Sequence, residues 1–351
     1  MSKRYIRQTI LPEVGEEGQQ KINQAKVLVI GAGGLACAIL PYLASAGIGN
    51  LGIIDDDMID ISNLQRQVIY KEKSVGKSKV QEAEKYLSGL NSNIKINTYH
   101  KKLTAQNAIS LFKEYDIITD ATDNLLTRYI INDACIITKK PFVYGSVHKF
   151  EGQVSVFNYK NGPTYRCLYP DNNLNIQNCA QTGVLGTTAA IVGMLQANEV
   201  IKIILNQGNV LSGKLLLYNT LDNEQTIINF QKNNTLVIDD NFYENEYLKN
   251  EVYVVTAEEA LKKKGMLLDV REYGELPEIN LPNAVQIPLS ILPDELNKLN
   301  KKDSIFIFCQ SGIRSLEAVK ILKENHFNQV KSIKDSAARI NELSHTLVSV
   351  K

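Results

Sequence analysis

The stretch AKVLVIGAGGLACAILPYLASAG, residues 25–47, decides the fold. Its first part is a β-branched and aliphatic run bounded by glycine, the pattern of a buried strand, and its second part reads as a helix. Between them Gly31, Gly33 and Ala36 satisfy the G-x-G-x-x-A spacing of a strand-turn-helix phosphate site, with Gly34 inside it. Glycines there let the backbone approach a phosphate at the positive end of the helix. Pro41 falls near that helix's first turns, where proline is tolerated.

Working outward, LGIID, IKINTY and DIITDAT read as strands, and KSKVQEAEKYLSGL, AQNAISLFKEY and NLLTRYIINDACIITK as helices. That alternation predicts an α/β domain built on a doubly wound, mostly parallel sheet. PFVYGSV and QVSVFNY lie so close together that they extend the sheet with antiparallel strands. A long apolar helix from about Val184 to Leu205 and a strand in KLLLYNTL follow. The Asn-rich segment DNNLNIQNC, residues 171–179, has no periodicity and reads as an exposed loop. From residue 252 a second, smaller α/β pattern begins, with VYVV, GMLLDV, AVQIP and SIFIFC as strands and SLEAVKILKEN as a helix. The expected division is 1–235, a polar linker at 236–251, and 252–351. Length agrees, since 351 residues exceed the roughly 250–300 that one core supports.

The charge balance, 39 basic against 38 acidic side chains, gives no general reason to bind nucleic acid or membrane. Any anion site must be local. No run reaches the roughly 18 apolar residues of a membrane span, and the N-terminus has no secretory apolar core, so a cytoplasmic protein is expected. Five scattered cysteines, without a paired framework, suit a reducing compartment.

Asp55 closes the second strand where an acidic residue would accept ribose hydroxyls. Asn63, Arg66 and Lys79 flank that strand and the next helix, while Asp123 and Asn124 end DIITDAT beyond a strand's carboxyl end. Several cations and a carboxylate suit a triphosphate with Mg²⁺, whereas a dinucleotide needs neither. ATP is therefore favoured over NAD.

RYIRQ, GAGGLA, YLASAGIGNLGIIDDD, SNLQRQ, VGKSKV, TDN, EGQVSVF and GVLG stand in the order found in the MoeB/ThiF family of ubiquitin-activating-like enzymes, which residues 4–230 resemble. The resemblance implies a Rossmann-like domain in which Gly34 and Asp55 contact the nucleotide, Asn63, Arg66 and Lys79 the triphosphate, and Asp123 the Mg²⁺. Arg7 would reach across a homodimer to the partner subunit's ATP. The implied reaction is attack of the C-terminal Gly-Gly carboxylate of a ubiquitin-like sulfur carrier protein on the α-phosphate. The carboxylate is already ionised at neutral pH and needs no general base.

The family's structural zinc needs four thiolates. Here the first Cys-x-x-Cys pair is reduced to Cys167-Leu168-Tyr169-Pro170, and no cysteine lies between Cys179 and Cys309, so zinc is expected to be absent. Cys179, before a helix, is a candidate acceptor of the activated carrier. From residue 252 the chain resembles single-domain rhodaneses, with LLDVRE at Leu267 to Glu272 and the loop Cys309-Gln310-Ser311-Gly312-Ile313-Arg314-Ser315. Loop N–H groups, a helix dipole and Arg314 would favour a thiolate or persulfide at Cys309, with Asp269 and Arg271 supporting the loop. Two departures touch this unit's edge: Asn280 stands where a histidine is usual, and the end of the chain lacks a glycine-rich finish. The sulfur donor would be a cysteine desulfurase or thiosulfate. The rival readings are an NAD-linked oxidoreductase, a non-catalytic sulfur-relay scaffold, and a relative that activates a tRNA-linked carboxylate.

Overall fold

The computed structural model describes residues 3–170, 183–233, 236–248, 254–279, 281–310 and 312–348. It divides into two compact units, Met1–Tyr243 and Glu244–Lys351. The division falls inside the stretch expected as a linker, part of which is helical at Asp240–Tyr243 and Glu244–Leu248.

In the first unit α1 (Gly15–Gln24) precedes β1 (Lys26–Ile30), α2 (Ala36–Ala46) and β2 (Asn50–Ile54). Then come α3 (Lys79–Leu90), β3 (Lys95–Tyr99), α4 (Ala105–Phe112), β4 (Ile117–Asp120) and α5 (Leu125–Thr138). β5 (Phe142–His148), β6 (Glu151–Phe157), α6 (Gly186–Leu205), β7 (Lys214–Asn219) and β8 (Glu224–Asn229) complete it. The eight strands form one sheet in the order β3-β2-β1-β4-β5-β6-β7-β8. β3 to β5 run parallel, and β5 to β8 pair antiparallel. This is the doubly wound mixed sheet that residues 25–47 announced. Because β1 sits between β2 and β4, the strand order reverses there, which opens a crevice at the carboxyl ends of the strands.

The helix α6 corrects one expectation. Its 20 residues are long and apolar enough to cross a membrane by length and composition, although no such run was expected. Half of that window is buried, with Val192, Gln196, Glu199 and Val200 all inside the unit, so it serves as a core helix. It lies against α2 so closely that a Cβ on Gly193 would stand 2.4 Å from the Leu35 carbonyl oxygen.

The second unit comprises β9 (Val254–Val255), α7 (Ala257–Lys262), β10 (Met266–Asp269), β11 (Ala284–Gln286), β12 (Ile305–Phe308), α8 (Ile313–Glu324), β13 (Val330–Ile333) and α9 (Ala337–Val348). Its five strands are all parallel, in the order β11-β10-β12-β13-β9, with β12 in the middle. Leu268, Ile305 and Ile307 pack with Ala318 and Leu322 of α8 in one buried cluster, and Leu267, Phe306 and Phe308 with Ala337 and Ile340 of α9 in another. Every residue of β12 is buried, so the strand delivers the loop behind it from a fixed base.

Candidate active site

A cavity of about 450 Å³ opens at the switch point of the first unit. Gly31, Gly33 and Gly34 line it from the β1 turn, Asp55 from the end of β2, and Asp123 and Asn124 from the end of β4. Asn63, Arg66 and Lys79 close another side. The cavity thus gathers all the residues expected to hold the nucleotide.

The glycine turn is built for close approach. Gly31 has φ +97°, and a Cβ there would stand 2.7 Å from the Ala121 carbonyl oxygen, so only glycine brings the β1 turn against the β4 turn. The Ala32 N–H donates to Asp55 Oδ2 at 2.6 Å, and the Tyr70 hydroxyl donates to the Ala32 carbonyl at 2.8 Å. Burial pushes the Asp55 carboxyl up from its ordinary value, against the opposing pull of N–H donors from Asp57 and Ala32. Lys79 is almost fully buried, and its ammonium donates to Asp57 Oδ2 at 2.6 Å. Arg66 Nη1 donates to the Ser62 carbonyl at 3.1 Å.

The two asparagines have structural duties as well. Asn63 Oδ1 accepts from the Asp60 N–H at 3.2 Å, and Asn124 Oδ1 accepts from the Thr127 N–H at 2.9 Å, capping α5. Their side-chain amide N–H groups can serve a ligand as well. Sequence reasoning missed Gln67 and Arg128. Gln67 is buried, lines the cavity, and its Oε1 has no hydrogen-bond partner, an orphan that a ligand donor would satisfy. Arg128 stands one turn into α5 behind Asn124; its Nε donates to buried Asp120 at 3.2 Å and its Nη2 to the Thr122 carbonyl at 2.9 Å. It thereby braces the turn that presents Asp123. Gln67 sits beside Arg66 in SNLQRQ, a signal that could have found it.

The donor set fits a nucleotide with a hard cation. Asp123 offers an exposed carboxylate, and one carboxylate oxygen from each of Asp55, Asp56 and Asp57 lies within 4.8 Å of the others. Arg7 does not line this cavity. It is exposed on the short helix Ile6–Thr9, whose neighbours tie it down: Tyr5 is buried and its hydroxyl accepts from Asn91, while Gln8 donates to the Ala46 carbonyl.

Cys167 is half-buried, and its sulfur accepts from the Thr164 and Asn233 N–H groups, each at 3.3 Å. Hydrogen bonds to a single thiol thus join Thr164 to Asn233, 69 positions later. Cys179 lies outside the described residues, as do the 171–179 loop, Asn280 and Ser311.

In the second unit Cys309 follows β12 and is fully buried. The Gly312 N–H donates to its Sγ at 3.1 Å, from the N-cap of α8. That contact sets the sulfur against the N-terminus of α8. Arg314, expected beside the sulfur, directs its guanidinium at Glu275, where Nη2 donates to Oε2 at 2.8 Å. Asp269 grips the buried Arg271 side chain through Nε at 2.9 Å and Nη2 at 2.6 Å, and Arg271 Nη2 also reaches the Pro277 carbonyl at 3.0 Å. This pair braces residues 269–277.

Comparison with known proteins agrees with both units. The ThiF family model matches residues 5–237, and the rhodanese-like domain model matches residues 254–342. The chain is 38% identical to "Adenylyltransferase and sulfurtransferase MOCS3" of Culex quinquefasciatus, over 91% of this chain and 81% of the relative. It is 38% identical to "Probable molybdopterin-synthase adenylyltransferase" of Gracilaria tenuistipitata var. liui, over 93% of this chain and 94% of the relative. It is 37% identical to "Probable adenylyltransferase/sulfurtransferase MoeZ" of Mycobacterium tuberculosis, over 93% and 89%. Among solved structures, E. coli MccB with ATP superposes with a TM-score of 0.59 at 22% identity, over 68% of this chain and 74% of that one, which speaks for the fold.

Proposed function

Because the chain belongs to the ThiF family and continues into a rhodanese-like domain, we propose that it adenylylates the C-terminal glycine of a ubiquitin-like sulfur carrier protein and then converts that end to a thiocarboxylate with sulfur carried on Cys309. The observation that carries the first step is the single cavity in which the glycine turn, Asp55, Arg66, Lys79 and Asp123 meet. Relatives named for both adenylyltransferase and sulfurtransferase activity support the second.

The glycine turn and the start of α2 receive phosphate through backbone N–H groups, while Asp55 accepts from the ribose. The carrier's carboxylate oxygen bonds to the α-phosphorus as the bond to the bridging oxygen breaks, and pyrophosphate leaves. Lys79, released from Asp57, and Arg66 stabilise the charge that develops on that leaving group. Asp123 is the residue that would hold Mg²⁺, whose role when bound is to neutralise phosphate charge. Arg7 supplies a further cation to the nucleotide of the partner in a homodimer. AMP is then displaced from the acyl-adenylate by the outer sulfur of a Cys309 persulfide. A second thiol, for which Cys179 is the candidate, cleaves the resulting acyl disulfide to thiocarboxylate and a protein disulfide.

Exchange of labelled pyrophosphate into ATP tests the first step. It is expected to require both a Gly-Gly carrier and Mg²⁺. Absence of exchange with any such carrier, together with tight NAD binding, would return the chain to the oxidoreductase reading.

A further inference from the structure

A polar side chain in the core of α6 has no part in the chemistry above. Gln196 is fully buried; its Nε2 donates to the Asp120 carbonyl at 2.6 Å, while its Oε1 has no hydrogen-bond partner. A half-satisfied amide is a poor choice for a helix core, where an apolar side chain would pack without leaving an acceptor unpaired. The neighbouring strand is shaped to admit it. A Cβ on Gly145 of β5 would stand 2.2 Å from Gln196 Cδ and 2.6 Å from Nε2, so glycine at that position leaves the amide its path to β4.

The carbonyl that Gln196 holds belongs to the last residue of β4, where the turn to Asp123 begins. Asp120 is itself fully buried, and its carboxylate grips the same turn from the other side. Oδ1 accepts from the Thr122 N–H and hydroxyl, each at 2.8 Å, and Oδ2 from Arg128 Nε at 3.2 Å. Arg128 Nη2 ties down the Thr122 carbonyl at 2.9 Å. Asp123, next in the chain, has an exposed carboxylate with no hydrogen-bond partner among the described residues. Its place is therefore set by the backbone of residues 120–122.

We propose that Gln196 is a positioning residue for Asp123: by fixing the Asp120 carbonyl from α6, it holds the turn where the Asp123 carboxylate can meet a nucleotide-bound Mg²⁺. This inference rests on the reading of Asp123 as the Mg²⁺ residue. A carboxylate that must find its place at each binding event holds a cation more weakly than one already placed, because the contact must first offset the cost of ordering it. Loss of the Gln196 donor therefore weakens the Mg²⁺-dependent part of ATP affinity and leaves the rest.

The test measures ATP binding to the full-length chain by calorimetry, once with Mg²⁺ and once with EDTA, and without carrier protein. Wild type is expected to bind ATP more tightly with Mg²⁺, and Asp123→Asn to lose that gain. Gln196→Met keeps the length of the side chain but cannot donate. It is expected to weaken ATP about 10-fold in Mg²⁺, the lower end of what losing an outer hydrogen-bond partner of a metal ligand costs, and to leave affinity in EDTA unchanged. In the Asp123→Asn background the same substitution is expected to change neither affinity, since no carboxylate is left to position. Val192→Ala, one turn earlier in α6 and fully buried, opens a cavity without touching Asp120 and is expected to bind ATP as wild type does under both conditions. Gly145→Ala, which drives a methyl into the Gln196 amide from β5, supplies the same readout if Gln196→Met fails to fold. An equal loss in EDTA and Mg²⁺, no loss in either, a loss that persists without the Asp123 carboxylate, or the same loss in Val192→Ala overturns the inference and leaves Asp123 as the Mg²⁺ residue. A wild-type chain whose ATP affinity ignores Mg²⁺, or an Asp123→Asn variant that keeps the gain, overturns that reading and the inference with it.

Discussion

On the proposed function, the contact between Lys79 and Asp57 has to open for the chemistry, since an ammonium donating to Asp57 at 2.6 Å cannot also meet a phosphate at full strength. Lys79→Ala is expected to lower carrier-dependent pyrophosphate exchange about 100- to 1000-fold, the range seen when one preorganised charge-stabilising donor is removed. Asp55 gives a pH signature. Its carboxyl is raised by burial, and ribose binding needs the ionised acceptor, so ATP affinity is expected to fall on acidification at a pH above the ordinary aspartate value of about 3.9. For stability the sign is opposite. A carboxyl raised in the folded state contributes fully below the unfolded pKa and loses that contribution as pH rises through the folded one. Asp55→Asn should therefore gain stability relative to wild type as pH rises above the ordinary aspartate value of about 3.9, as read by urea unfolding at each pH. That these residues would line one cavity was legible because glycine spacing and a carboxylate at a strand end have fixed consequences. Gln67 and Arg128 were not, since an orphaned amide oxygen and a brace to Asp120 exist only once β4 and α5 are in place.

At the scale of elements, the nucleotide turn depends on α6 lying against α2. A side chain at Gly193 would meet the Leu35 carbonyl at 2.4 Å, just behind the glycine turn. Gly193→Val is expected to cost about 1–3 kcal/mol in denaturant unfolding and to weaken ATP binding as the start of α2 shifts. The far side of α5 is anchored by Asp133, whose fully buried carboxylate pairs with Arg166 at 2.8 Å while Tyr129 and Phe242 flank the guanidinium. Asp133→Ala removes the carboxylate that the buried Arg166 guanidinium grips, so it is expected to destabilise the chain by about 3–5 kcal/mol in the same measurement. Elements with an apolar period were readable from residues alone. β8 escaped because every residue in it is exposed, so EQTIIN shows no buried face and is a strand only through pairing with β7. β13 escaped because VKSI is four residues long and interrupted by a lysine, although its place beside β12 buries most of it. For α6 the sequence read the helix correctly but not its membrane-like length and apolarity; the buried Gln196 and Glu199 mark it as a core helix.

For the whole molecule, two folds with separate chemistry share one chain, and the change of residue pattern near position 252 is enough to show it. That pattern does not show how Cys309 is kept. The thiol is fully buried, and the cation expected for it is matched by Glu275, 39 positions earlier in the chain. Division of labour predicts that Cys309→Ala retains pyrophosphate exchange while losing thiocarboxylate formation, and that Asp123→Asn loses both. The most direct test is the mass of a Gly-Gly carrier after incubation with the full chain, ATP, Mg²⁺ and a persulfide donor. Wild type should replace one carrier oxygen by sulfur, and Cys309→Ala should leave the carrier adenylylated or unchanged. Sulfur incorporation at the wild-type rate by Cys309→Ala would contradict the relay.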